Sequence, residues 1–120
     1  MPKARIDLLL DCADPEALAG FWRDALGYRE YVAWDECAIL VPKDDIGPPL
    51  VLQKVPEPKS VKNRMHIDLV HDDVESEVAR LVGLGAKRLH DGIRNFGDVR
   101  WVAMSDPEDN EFCVCTGVEW

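Results

Sequence analysis

The sequence predicts an α+β domain of two tandem strand–helix–strand–strand–strand (βαβββ) modules, each a curved mixed sheet over one helix, with a cavity between. Three observations predict it. A period-two run that breaks into a helix start occurs twice, so that residues 7–14 overlay residues 66–73. An apolar stripe of helical period follows each run and stops at a glycine, Gly27 in one copy and Gly85 in the other. After each glycine come short apolar runs separated by turn residues. The repeat is too long for a solenoid unit, so the two copies are expected to pack as one domain. Its parts are a first module over 1–56, a linker over 57–64 and a second module over 65–120.

The first strand is expected over 5–11, with Ile6, Leu8 and Leu10 on one face and Asp7, Leu9 and Asp11 on the other. Asp14-Pro15-Glu16 then reads as a helix start: a capping carboxylate, proline at the first helical position and an acid in the first turn. Ala17, Leu18, Phe21, Trp22, Ala25 and Leu26 form its apolar stripe. Strands follow over 29–33, 36–41 and 50–55, the last two parted by the proline- and aspartate-rich stretch 42–49. Pro56 and Pro58 mark the linker, and Lys54, Lys59, Lys62 and Arg64 make it locally basic. These cations can be a solvated loop or can guard a pocket mouth and favour an anionic small molecule.

The second module opens on a strand over 65–71, with Ile67 and Leu69 facing one way and His66, Asp68 and Val70 the other. Asp72 or Asp73 caps a helix over 74–84, whose stripe is Val74, Val78, Leu81 and Val82. Strands are expected over 87–90, 99–104 and 111–116, with turns at Asp91-Gly92 and over 106–110. Ile6, Leu8, Leu10, Ile67 and Leu69 should be buried against the helices. Asp7, His66 and Asp68 should turn to the opposite faces and, with Glu111 nearby, line one cavity that accepts a small polar or anionic ligand.

Composition narrows the function classes. The chain has 120 residues, with 23 acidic and 14 basic side chains and a formal charge of −9. That charge argues against nucleic acid and against anionic membranes as partners. No apolar run reaches the roughly 20 residues a membrane helix needs, and the N-terminal residues carry no signal-peptide pattern. Cys12, Cys37, Cys113 and Cys115 lie in or beside apolar runs without zinc-ribbon spacing, so reduced thiols in a cytoplasmic protein are expected. Phosphate loops, serine or cysteine triads and DNA-reading helices are excluded for want of their spacings.

Several stretches resemble the vicinal oxygen chelate superfamily, and within it the small bacterial glyoxalase-like (glyoxalase/bleomycin resistance protein/dioxygenase) domains. They are Leu10-Asp11-Cys12-Ala13-Asp14-Pro15, Phe21-Trp22 and Leu26-Gly27-Tyr28 in the first module. In the second they are Lys62-Asn63-Arg64-Met65-His66-Ile67-Asp68-Leu69, Gly85-Ala86 and Asp106-Pro107-Glu108-Asp109-Asn110-Glu111-Phe112. The resemblance implies a metal ligand at the start of each module's first strand and another on each last strand. Carried over, His66 matches the second-module histidine, and Asp7 stands where a first-module histidine is usual. Gln53 corresponds to the first-module carboxylate. The second-module glutamate position falls at Cys113, and Glu111, two residues earlier on the same face, is its substitute.

Two functional readings therefore stand side by side. One is a metal-assisted lyase, isomerase or dioxygenase, in which manganese, iron(II), nickel or zinc polarises a substrate oxygen. The other is a metal-free protein that binds or sequesters a small polar or anionic molecule, as bleomycin-resistance members do. His66 and Asp68 are the expected catalytic pair, the carboxylate orienting the imidazole as a base or sharing a cation with it. Asp68 can alternatively hold Arg64 by a salt bridge. Cys113 and Cys115 read as packing residues, and Trp101 as either core or pocket wall. Tyr31, Trp34 and Trp120 offer apolar surface for a homodimer.

Overall fold

The computed structural model describes residues 5–117 and divides the chain into two compact units, the sequence boundary falling between Lys59 and Ser60. The first unit contains β1 (Leu8–Cys12), α1 (Pro15–Leu26), β2 (Arg29–Trp34), β3 (Cys37–Val41) and β4 (Leu50–Lys54). Its sheet runs β1-β4-β3-β2, with β1 parallel to β4 and the other pairs antiparallel. Register explains which face is oily. Leu50 stands opposite Leu8 and Leu40, and Leu52 opposite Leu10 and Ala38. Ala38, Leu40, Leu50 and Leu52 are all buried, and α1 packs on β2, β3 and β4 with Leu18, Phe21, Trp22 and Ala25 inside. Each fully buried large side chain contributes about 1.5–3 kcal/mol. Asp14 starts the helix by accepting from Ala17 N at 3.2 Å, and Gly27 ends it at φ +68°, a left-handed conformation that suits glycine.

The second unit contains β5 (Asp68–Val70), α2 (Val74–Leu84), β6 (Lys87–Arg88), β7 (Arg94–Phe96), β8 (Val99–Ser105) and β9 (Glu111–Cys115). Its sheet runs β5-β9-β8-β6, and β7 forms a hairpin with β8. As in the first unit, the opening strand pairs in parallel with the closing one, β5 with β9. Leu69, Val102, Met104, Phe112 and Val114 are buried on one face, and α2 adds Val74, Val78 and Leu81. Asp73 caps α2 by accepting from Ser76 N at 3.1 Å.

The β8–β9 turn is held by a carboxylate with no solvent exposure. Asp106 accepts from Glu108 N at 2.8 Å, from Asn110 N at 3.0 Å, and from Asn110 Nδ2 at 2.9 and 3.1 Å. Such a buried acid is tolerated because its oxygens are satisfied. Among the described residues, no helix is long and apolar enough to cross a membrane.

The structure corrects several expectations. Ile6 is 71% exposed, because β1 begins only at Leu8, where the backbone first bonds to Pro49. Leu8, Leu10 and Ile67 are half-buried, while Leu69 is buried. Val82 is 48% exposed, at the margin of its helix stripe. The second unit has an additional strand, β7, whose Arg94-Asn95-Phe96 is exposed throughout and so shows no alternation. The opening strand of that unit is short, although Cys113 N still donates to Ile67 O at 3.0 Å, extending the ladder by one bond.

Candidate functional site

Side chains that stand opposite each other across a ladder share a face, and β5 stands against β9 with Asp68 opposite Cys113 and Val70 opposite Cys115. Leu69 and Val114 point to α2, so Asp68, Val70, Cys113 and Cys115 occupy the other face. His66, two residues before Asp68, joins them. Its Nδ1 lies 3.0 Å from Asp68 Oδ1, and both side chains are partly solvent-accessible. With a proton on Nδ1 the imidazole donates to the carboxylate and keeps the Nε2 lone pair free, an arrangement suited to a base or a metal ligand.

These polar groups end in a cluster. One ligand atom from each of His66, Asp68 and Cys113 lies within 4.8 Å of the others. The cluster sits at one pole of a pocket of about 390 Å³ on the open face of the second sheet. Val70, Val99, Trp101 and Phe96 supply the apolar wall, and Cys115 and Gly117 complete it. Trp101 is fixed from both sides. The His90 ring meets it edge-on at 5.5 Å, and the Arg94 guanidinium lies 5.6 Å over its ring. His90 is itself held, since Ala103 N donates to its Nε2 at 3.0 Å.

Burial, followed by the Asp68 carboxylate and the neighbouring Cys115, pushes the Cys113 thiol up to about 11, with Lys62 opposing. Burial also raises Cys115, against a backbone hydrogen bond from Gly117, and Asp68 adds to the rise. The influence of Lys62 on Cys113 means that a linker cation stands within electrostatic reach of the pocket. All four cysteines are free.

The other sequence candidates make contacts of their own. Glu111 is half-buried and accepts from Asn63 N at 3.2 Å, while its backbone carbonyl accepts from Asn63 Nδ2 at 3.4 Å. It clasps the linker and is outside the three-residue cluster. On the first unit, Asp7 pairs with Arg5 at 3.0 Å. Gln53 is exposed and stands opposite Asp11 and Cys37 on the face away from α1. Asp68 takes His66 as partner. His71 accepts from Asp73 N at 2.9 Å beside the start of α2. Sequence reasoning ranked Cys113 as packing, and the pocket roles of Phe96 and Val99 were missed. The pairing of opening and closing strands is the signal that aligns Asp68 with Cys113; Phe96, in an exposed polar strand, gave none.

Comparison with known proteins follows the same pattern. A family model described as a glyoxalase-like domain matches residues 7–115. Among solved structures, the fosfomycin resistance protein FosX from Mesorhizobium loti is 18% identical, with a TM-score of 0.73, covering 98% of this chain and 95% of that one. A variant of FosX from Listeria monocytogenes, complexed with Mn(II) and 1S,2S-dihydroxypropylphosphonic acid, is 15% identical with a TM-score of 0.77, covering 98% and 93%. A glyoxalase/bleomycin resistance protein/dioxygenase family enzyme from Burkholderia phytofirmans PsJN is 15% identical with a TM-score of 0.73, covering 92% and 98%. These identities carry the fold. No curated protein sequence matches significantly.

Proposed function

The chain belongs to the glyoxalase-like domain family of the vicinal oxygen chelate superfamily, and from that premise we propose that its second module binds a small molecule with an apolar body and a polar or anionic end. One observation carries the reading. The 390 Å³ pocket joins an apolar wall around Trp101 to a pole of His66 and Asp68, the mixed lining typical of small-molecule sites. Lys62 near the thiol of Cys113 supports an anionic end. The phosphonate in the Listeria monocytogenes FosX complex supports the same ligand class on this fold. The four free cysteines support a reducing, cytoplasmic setting.

Within this reading the protein acts on its ligand. His66, oriented by Asp68, takes or returns a proton at a ligand atom placed against Trp101. With His66 serving as a ligand instead of a base, His66, Asp68 and Cys113 would be the residues to hold a divalent metal, which would supply Lewis-acid polarisation of a ligand oxygen, in keeping with lyase, isomerase or dioxygenase chemistry. Glu111, and on the first module Asp7 and Gln53, remain secondary ligand candidates of this proposal. A second reading, metal-free sequestration, is favoured by the engagement of Asp7 with Arg5 and of Glu111 with Asn63. Homodimerisation belongs to the proposal as well, since Tyr31 and Trp34 on the edge strand β2 are 67% and 47% exposed. Trp120 lies outside the described residues.

The test is calorimetric titration with a panel of small phosphonates and carboxylates, alongside His66→Ala and Trp101→Ala. Either substitution should weaken binding by about tenfold or more, roughly 1.4 kcal/mol. The thermal midpoint of His66→Ala should stay near that of the wild type, because the side chain is part-exposed at the pocket and outside the core. Binding that survives both substitutions would remove the pocket from the reading. Asp7→Ala and Gln53→Ala, titrated with metal, report whether the first module contributes. Light scattering gives the oligomeric state, and a monomer mass at micromolar concentration would reject the dimer.

A further inference from the structure

The outer edge of β8 is covered in two pieces. β6 pairs with Met104 and Ser105, and β7 pairs with Val99, Arg100 and Trp101. Between them Leu89 N still donates to Ala103 O at 3.0 Å, but the return bond goes to a side chain, Ala103 N donating to His90 Nε2 at 3.0 Å. The other ring nitrogen, Nδ1, lies 3.2 Å from Asp91 O. A backbone N–H can only donate and a carbonyl can only accept, so these two partners select the neutral Nδ1–H tautomer. The same ring meets Trp101 edge-on at 5.5 Å, on the apolar wall of the pocket. We propose that His90 is the positioning residue of this wall: its neutral form holds Trp101, and a proton on Nε2 releases it, so that acid weakens binding in the pocket. The proposal rests on the pocket reading above and adds its regulation.

A proton on Nε2 sets one donor against another at the Ala103 bond, so the ring must turn or the edge of β8 must open. Ala103 is two residues from Trp101 on the same face of the same strand, and either motion therefore disturbs the wall. The charged groups around the ring have other partners. Arg88 of β6 donates to His90 O at 2.8 Å and pairs with Glu75 of α2 at 3.0 Å, and Lys87 pairs with Asp109. Arg94 of β7 lies over Trp101, and Arg100 of β8, on the opposite face, donates to Asp72 O at 3.4 Å. Asp91 meets the ring through its backbone carbonyl, while its carboxylate acts on Arg88. Among the described residues no carboxylate oxygen bonds either nitrogen of His90. Proton and ligand therefore oppose each other.

Two substitutions separate the acceptor from the charge. His90→Gln offers Ala103 N an oxygen acceptor that does not titrate, and His90→Phe keeps a ring against Trp101 without an acceptor. Proton–nitrogen NMR of the full chain should show His90 protonated at Nδ1 alone at about pH 8, and the Trp101 indole signal should move as pH falls to about 5, across the range in which imidazoles change charge. Benzenesulfonate, whose charge is constant over that range, is the binding probe, and its affinity should fall by about fivefold or more over the same interval. In His90→Gln the Trp101 signal should stay still, and affinity should keep only the pH dependence that His66 and His71 bring. His90→Phe should bind weakly at both ends of the range; if it misfolds, the glutamine variant decides. A neutral ring protonated at Nε2, a Trp101 signal unmoved by pH, or a His90→Gln profile identical to that of the wild type would overturn the proposal. Benzenesulfonate that binds at neither pH, while Trp101 still follows His90, counts against the pocket reading and for the link between the two rings.

Discussion

The two modules are alike on the side that faces their helices and unlike on the other side. Both helices begin at a capping aspartate, Asp14 or Asp73, and end at a left-handed glycine, Gly27 or Gly85. Both sheets join their opening and closing strands in parallel. On the open faces the sequences part. The first module presents Leu9, Ile39, Val51, Cys37 and Gln53, whereas the second gathers His66, Asp68, Cys113 and Trp101 around a pocket. The difference teaches that one packing solution was used twice, while the polar and aromatic side chains that line a pocket are confined to the open face of the second copy.

The largest effects should test the likeness. Leu52→Ala and Phe112→Ala each truncate a side chain that is at most 1% exposed, one per module. Chemical denaturation should show losses of about 2–5 and about 3–5 kcal/mol respectively. A loss under about 1 kcal/mol for either would mean that its helix-facing side is packed differently from its counterpart. Asp106→Ala addresses a feature of the second module. It leaves the donors of Glu108 and Asn110 without their acceptor, and a cost of about 2–3 kcal/mol should appear in the same denaturation measurement.

Gly117→Ala sharpens the contrast between open faces. A Cβ there would meet Val70 Cγ1 at 2.8 Å, and the backbone sits at φ +82°. The change should cost about 1–2 kcal/mol and weaken ligand binding, because Val70 must move into the pocket that both residues line. Unaltered ligand affinity would show that Val70 is not part of the working wall.

The smallest effect is a pH dependence confined to the second helix. Arg80 hydrogen-bonds Glu77 at 2.6 Å and, against the opposing effect of burial, holds its carboxyl below the usual range, with the charges of Arg80 and His71 helping. A lowered folded pKa contributes stability that is complete above the ordinary carboxylate range and is lost as pH falls through the folded value. Thermal melts between about pH 6 and pH 3 should therefore show an acid loss of about 0.3–0.5 kcal/mol that Glu77→Gln removes. An identical acid slope in Glu77→Gln would assign the loss to other carboxylates.

The helix-facing half of the molecule was legible in the sequence because burial writes a period. Leu18, Phe21 and Trp22 repeat as a helix does, and Leu50 and Leu52 alternate as a strand does. Strand β7 was not legible, since Arg94, Asn95 and Phe96 are all exposed and follow no alternation. Ile6 was misplaced because alternation continues past the point where the ladder stops. At the site, His66 and Asp68 could be placed on one face by their spacing along a single strand. The position of Cys113 beside them depends on register between strands distant in sequence, which local pattern does not encode.

That register has a consequence for the order in which the molecule comes into being. β5 is an edge strand whose ladder partner is β9, so its backbone pairing waits for the chain from Asp68 to Cys113 to be synthesised and folded. Contacts so far apart in sequence form late and slowly. Ribosome-bound chains that lack β9 would carry His66 and Asp68 without the strand that steadies them or the sulfur that completes the set. A small molecule that needs the assembled pocket would find no such pocket on those intermediates.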